Sequence, residues 1–106
     1  MKVDNIFTFE NPVHTAESDM GSIRQLRVGD SPMACTKVSL DPSKSMTISL
    51  QFGGFVYSFG GEFTATDVDG SVKITTGDIL TIDNNNQVTL KNDAEWAANF
   101  LILGLH

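Results

Sequence analysis

The chain has one cysteine, two histidines, one tryptophan, one tyrosine and three prolines in 106 residues, and each scarcity removes a class of chemistry. A single thiol, Cys35, cannot close an internal disulfide or build a thiolate metal cluster. Its place in the run ACTKVSL marks it as a small core side chain. The histidines are His14, in a proline-containing N-terminal stretch, and His106, the last residue. They leave a Ser-His-Asp or Cys-His relay without a placed base, and no Gly-x-Ser-x-Gly elbow occurs. Basic residues are few, 7 against 13 acidic ones, for a formal charge of −6. A surface of that sign repels phosphate backbones and anionic lipid, so neither nucleic acid nor a membrane is expected as a partner. No apolar run approaches the roughly 18 residues of a membrane span, and MKVDNIFTFE has no apolar signal core. These absences predict a soluble, cytoplasmic protein.

What remains is 41% hydrophobic and 19% charged, enough for one core and one domain over residues 1–106. Short β-rich runs are read at Asn5–Phe9, Ser22–Val28, Ala34–Leu40, Met46–Phe52, Phe55–Phe59, Glu62–Thr66, Ser71–Thr75, Ile79–Ile82, Gln87–Lys91 and Asn99–Leu105. Their recurrence every ~8 to 12 residues predicts an all-β sandwich or barrel. Turn residues stand between them: Gly29-Asp30-Ser31-Pro32, Asp41-Pro42-Ser43, Gly53-Gly54, Gly60-Gly61, Asp69-Gly70, Gly77-Asp78 and Asn84-Asn85-Asn86. Asp69-Gly70 is expected at the centre of a type I′ hairpin turn. Thr15–Met20 reads as a loop, and Asp93–Ala98 as the one candidate helical turn. Asp67-Val68-Asp69-Gly70 begins like a calcium loop but lacks the later oxygens and the Glu at position 12. The Gly-Gly pairs do not open a helix, so they form no phosphate cradle.

Together these residues resemble the cupin superfamily, a double-stranded β-helix or jelly-roll barrel built from two motifs. Asp41-Pro42-Ser43 is similar to the Pro-Gly turn before the first motif, and Phe55–Glu62, FVYSFGGE, to its end. Gly77-Asp78 opens the second motif, and Asn92 lies near its closing Asn. The likeness spans about residues 22–103. It implies a barrel in which metal-binding members place His-x-His and Glu from the first motif and His from the second around a divalent ion. Here the two first-motif histidine positions fall on Ser49 and Gln51, the Glu position on Gly54 or Phe55, and the second-motif His on Gln87 or Val88. The resemblance thus implies the barrel, while the residues predict that no metal and no other cofactor is bound.

The strand Ser45–Phe52 carries Met46, Ile48, Leu50 and Phe52 on one face and Ser45, Thr47, Ser49 and Gln51 on the other. Two assignments stay open. In the cupin register Ser49 and Gln51 form a polar wall inside the barrel, and the apolar face is covered by another strand or a second subunit. In the simple amphipathic register the polar face meets solvent. The first assignment yields a ligand site of Ser49, Gln51, Tyr57, Gln87 and Trp96, with Phe55, Tyr57, Phe59 and Trp96 as apolar lining. It also yields a homodimer formed through Met46, Ile48, Leu50 and Phe52. The expected function is metal-free binding of a small molecule in the barrel. The alternatives are a small enzyme of isomerase, lyase or dioxygenase type using Tyr57, a carboxylate such as Glu62 or Glu95, or a noncanonical metal shell, and a structural or oligomerising domain with a filled barrel.

Overall fold

The computed structural model describes residue 5 and residues 14–18, 20–27 and 33–105. They form ten strands: β1 (His14–Ser18), β2 (Gly21–Arg27), β3 (Met33–Leu40), β4 (Ser45–Ser49), β5 (Gly54–Gly60), β6 (Glu62–Asp67), β7 (Gly70–Thr75), β8 (Ile79–Ile82), β9 (Gln87–Lys91) and β10 (Ala98–Leu105). A six-stranded sheet in the order β1-β2-β3-β10-β5-β8 faces a four-stranded sheet in the order β4-β9-β6-β7. Every pairing is antiparallel. Apart from β1-β2-β3 and the β6-β7 hairpin, successive strands cross between the sheets, and the inner faces close on one another as a jelly roll.

Alternation fixes what lies between the sheets. Val38 and Leu40 from β3, Val56 from β5, Phe63 and Ala65 from β6, Val88 and Leu90 from β9, and Phe100 and Ile102 from β10 are all buried in one cluster. Phe63 and Phe100 meet across the sheets with ring centroids 4.8 Å apart and planes tilted by 40°, a favourable offset for two π-systems. The β5–β10 register skips Phe59, since Asn99 pairs with Gly60 and Phe100 with Ser58. This bulge bends β5 at the end of the barrel away from Gly54.

Several expectations are corrected. The stretch read as a loop at Thr15–Met20 supplies most of β1, paired with β2 in the register His14↔Gln25 to Ser18↔Gly21. The run Asn5–Phe9 lies outside the described residues apart from Asn5. The hairpin between β6 and β7 turns on Val68-Asp69, with Asp67 paired to Gly70. Among the described non-glycine residues only Ser43 (φ 69°) and Asn85 (φ 59°) have positive φ, so this is not a type I′ turn. The Asp67 carboxylate accepts the Asp69 N–H at 2.9 Å, and that side-chain bond sets the turn one residue early. No helical turn forms at Asp93–Ala98. There the Asn92 side chain takes the Ala94 N–H and the Trp96 carbonyl, groups that a helix would need.

Asp41-Pro42-Ser43-Lys44 is a tight turn closed by the Lys44 N–H on the Asp41 carbonyl at 3.2 Å. Pro42 followed by positive φ at Ser43 has the form of a type II turn. The serine thus holds the left-handed geometry that the Pro-Gly turn of the resemblance gives to glycine.

Candidate functional site

The orientation of β4 decides what the barrel holds. Ile48 and Leu50 are 8% and 6% exposed and belong to the interior cluster, whereas Ser49 and Gln51 are exposed. The amphipathic register is the observed one, and the polar wall is corrected to an apolar one. Burying two aliphatic side chains of this size gains about 1.5–3 kcal/mol each, while hydroxyl and amide groups facing the same interior would lose their water without partners. On the apolar face of this segment Ile48 and Leu50 are covered by the protein's own opposite sheet and Met46 is partly buried, whereas Phe52 is exposed. Replacing Gln51 with Leu is accordingly expected to change stability by no more than about 0.5 kcal/mol, measured as the urea midpoint.

The inward positions are therefore Ile48, Leu50 and Val88, with Ile48 paired to Val88 across β4 and β9. Gly54 stands beside Leu50: a Cβ built on Gly54 would come within 2.8 Å of the Leu50 Cδ1 and 3.0 Å of the Gly104 Cα. Ser49 and Gln51, where the resemblance puts its two first-motif imidazoles, thus face outward, and the inward positions beside them, with Gly54 and Val88, hold two branched aliphatics, a glycine and a valine. None has a donor atom, so these residues do not fit a metal ion. Among the described residues no group of three or more His, Cys, Asp or Glu is arranged to hold one. The His14 side chain and His106 lie outside the described residues.

The five residues read as ligand-binding do not converge inside the barrel. Ser49 and Gln87 are brought together as paired neighbours across β4 and β9, but on the outer surface. Gln51 lies in the turn after β4. Tyr57 is on the outer face of the six-stranded sheet, between Leu101 and Ile79. Trp96 is exposed in the loop before β10. Glu62 lies on the other sheet from Tyr57 and pairs with Lys73 at 3.2 Å, and Glu95 is exposed. Cys35 is buried as expected, and burial pushes its thiol pKa up.

One opening lined in part by core residues lies along the seam between β7 and β8, the outer strands of the two sheets. It is a cleft of about 250 Å³. Ala65, Leu80 and Val88 face it from below, and Asp67, Asp69, Ser71 and Asn86 line its rim. Asp67 is the organised group of that rim. Its Oδ1 accepts the Asp69 N–H, and its Oδ2 accepts the Asn86 side-chain N–H at 3.2 Å. These bonds favour the charged form and hold the carboxyl below its ordinary value of 3.8. The arrangement offers a fixed anion above an apolar floor. Sequence reasoning took Asp67 and Asn86 as residues of two separate turns. They are 19 positions apart, and only the β6–β9 pairing, Thr66↔Thr89, brings them together.

No protein-family model matches the chain, and no curated protein matches it. Solved structures do. A Cupin 2 conserved barrel domain protein from Salinispora arenicola superposes with a TM-score of 0.73 at 8% identity, over 97% of this chain and 87% of that one. A predicted oxalate decarboxylase from Thermotoga maritima gives a TM-score of 0.67 at 18% identity, over 99% of this chain and 100% of that one. A sugar phosphate isomerase of the cupin superfamily from Silicibacter pomeroyi gives 0.67 at 22% identity, over 79% of this chain and 59% of that one. With two antiparallel sheets closed around one apolar interior, and with these structures superposing on 79–99% of its length, the chain has the cupin fold.

Proposed function

We propose that this protein is a metal-free cupin-fold binding protein. It takes a small molecule in the seam between β7 and β8 rather than in the centre of the barrel. The observation that carries this reading is the pairing of an anchored carboxylate, Asp67, with an apolar floor that reaches Val88. In the resemblance that region is where the second-motif histidine stands. A carboxylate with both oxygens already accepting hydrogen bonds is a fixed negative point, suited to an amine or another strong hydrogen-bond donor. Ala65, Leu80 and Val88 suit a short hydrocarbon body. The packing of Ile48, Leu50 and Val88 supports the absence of a metal step.

Binding is tested by titrating a panel of small aliphatic and aromatic amines against isotope-labelled protein. The expected result is amide shifts confined to residues 65–72, 80–81 and 86–88, abolished by Asp67→Asn. Shifts at none of these positions across the panel would overturn the reading, as would one tightly held equivalent of a transition metal by elemental analysis. Asp67→Asn has a second readout. A carboxyl whose folded pKa is depressed contributes stability that is present above its unfolded value and lost as pH falls through the folded one. The wild-type urea midpoint is therefore expected to fall as pH drops below the ordinary carboxylate value of 3.8, and to fall less in Asp67→Asn.

A further inference from the structure

Trp96 is the chain's single tryptophan and is 75% exposed, against the strong average burial of this side chain. The loop that carries it is tied down. Asn92 Nδ2 donates to the Trp96 carbonyl at 2.7 Å, and Asn92 Oδ1 accepts the Ala94 N–H at 2.9 Å. A held backbone thus presents an indole to solvent. Trp96 and Ala94 line a cleft of about 530 Å³ whose other walls are Gly61, Glu62, Thr75 and Thr76, a size within the ~300–1,000 Å³ of small-ligand sites. The cleft stands at the open end of the β6–β7 hairpin, where Glu62 pairs with Thr75, whereas Asp67 stands at its turn. It lies past the end of β5 at Gly60, away from Gly54 at the start of that strand.

We propose that this cleft binds a neutral oligosaccharide, with one pyranose ring stacked on Trp96. The polar groups of the cleft select the class. Thr75 Oγ1 donates to Asp78 Oδ2 at 3.2 Å, and Thr76 Oγ1 donates to the Gly61 carbonyl at 3.4 Å. With their protons placed, both oxygens are left to a ligand as acceptors, and the Glu62 carboxylate can only accept. Such a rim calls for a ligand rich in donors.

Charge decides between the donors available. Lys73 lies 3.2 Å from Glu62 Oε2, and Lys91 lies 3.5 Å from Asp93 at the start of the loop. Glu95 belongs to the same loop but does not line the cleft. The charge of Glu62 is therefore already met, and the donors that suit this wall are hydroxyls rather than an ammonium group. The ring C–H groups of a pyranose meet the negative face of the indole, while its hydroxyls reach the rim.

The surface beyond the cleft continues the pattern. Thr64 follows Glu62 on the outer face of β6, paired with Lys73 and Lys91. Next comes a row across all four strands, Thr47, Thr89, Thr66 and Ser71. Its hydroxyls meet at 3.1 Å between Thr47 and Thr89 and at 2.8 Å between Thr66 and Ser71. Further sugar residues find hydroxyl partners along this sheet, so the inferred ligand is a chain and not a free monosaccharide.

Because the chain has one tryptophan, its fluorescence reports on this site alone. Cellohexaose, maltohexaose and mannohexaose are titrated to about 10 mM, a range that reveals millimolar binding. The expected result is emission at shorter wavelength and weaker quenching by acrylamide with at least one of the three, and no such change with glucose or tetramethylammonium chloride. Calorimetry with that sugar is expected to show binding weakened about tenfold or more in Trp96→Ala, about fivefold in Glu62→Gln, and no more than about threefold in Trp96→Phe, which keeps a ring. Circular dichroism is expected to be unchanged in all three variants. No response to any of the three oligosaccharides would overturn the inference. So would an equal response to glucose or to tetramethylammonium, or an unchanged calorimetric affinity in Trp96→Ala. Asp67→Asn is expected to bind the sugar as the wild type does, so failure at one site leaves the other proposal standing.

Discussion

Replacing Asn92 with alanine is expected to remove about 3–5 kcal/mol of stability, a large part of what a domain of this size possesses. The Asn92 side chain is fully buried. Its Nδ2 donates to the Leu40 carbonyl at 2.9 Å and to the Trp96 carbonyl at 2.7 Å, and its Oδ1 accepts the Ala94 N–H at 2.9 Å. Its own backbone adds bonds to Lys44 and Ser43. One residue thus fastens the end of β3, the turn into β4 and the loop into β10. Alanine leaves two carbonyls and one N–H without the bonds they make now, each at a cost of about 1–3 kcal/mol.

Urea unfolding followed by circular dichroism measures the loss, with the exposed neighbour Asp93→Ala as a control expected to stay within about 0.5 kcal/mol. Asn92→Asp adds a pH signature. A carboxylate facing two carbonyls disfavours its charged form and raises its pKa. That variant should therefore lose stability as pH rises through the raised value and regain part of it on acidification. A drop of less than about 1 kcal/mol in Asn92→Ala would show that this clamp is not what holds the three segments together.

The second large effect is expected at Gly54. An added Cβ would be driven onto the Leu103 carbonyl oxygen of the neighbouring strand, as well as against the Leu50 Cδ1 at 2.8 Å and the Gly104 Cα at 3.0 Å. Backbone cannot yield as a flexible side chain can, so Gly54→Ala is expected to cost about 3 kcal/mol or more. Gly54→Glu, which would place a carboxylate at one of the two positions to which the resemblance assigns its metal-binding Glu, should not fold. Gly104 tests the same packing differently, because a Cβ there meets the Leu50 methyls at 3.0 and 3.1 Å. Gly104→Ala is expected to be milder in a Leu50→Ala background, itself destabilised by about 2–5 kcal/mol. A double-mutant cycle should show coupling of at least about 0.5 kcal/mol. Additive effects would mean that Leu50 does not fill the space these two glycines leave.

Both variants act on the same feature: where the resemblance has a polar centre, this barrel has an aliphatic one. Leu50 fits because two facing strands, β5 and β10, each carry a glycine beneath it. The resulting interior is closed by packing alone.

Most strands could be read from the chain, and their limits fall within a few residues of those observed from β2 to β10. Alternation and turn residues are local signals, and local hydrogen bonding obeys them. The misreadings arose where a side chain took over a backbone role: Asp67 moved its hairpin by one residue, and Asn92 replaced a helical turn. The five-residue ligand site expected from the sequence depends on which face of β4 turns inward. Because alternation has a period of two, shifting a motif by a single position exchanged every inward side chain for an outward one. Ser49 and Gln51 went to solvent, and Ile48 and Leu50 took the interior.

The sequence by itself determined the all-β class, the cupin-like order of strands and turns, the acidic surface, and the poverty of imidazole that argues against a metal centre. All of these are properties of composition or of neighbouring residues. The tertiary structure decided which face of each strand is covered, because a strand presents two faces and only the opposing sheet selects one. It also joined Asp67 to Asn86 and aligned Phe55, Tyr57 and Ile79 with Leu101 and Leu103, since side chains far apart in the chain become neighbours only through strand pairing.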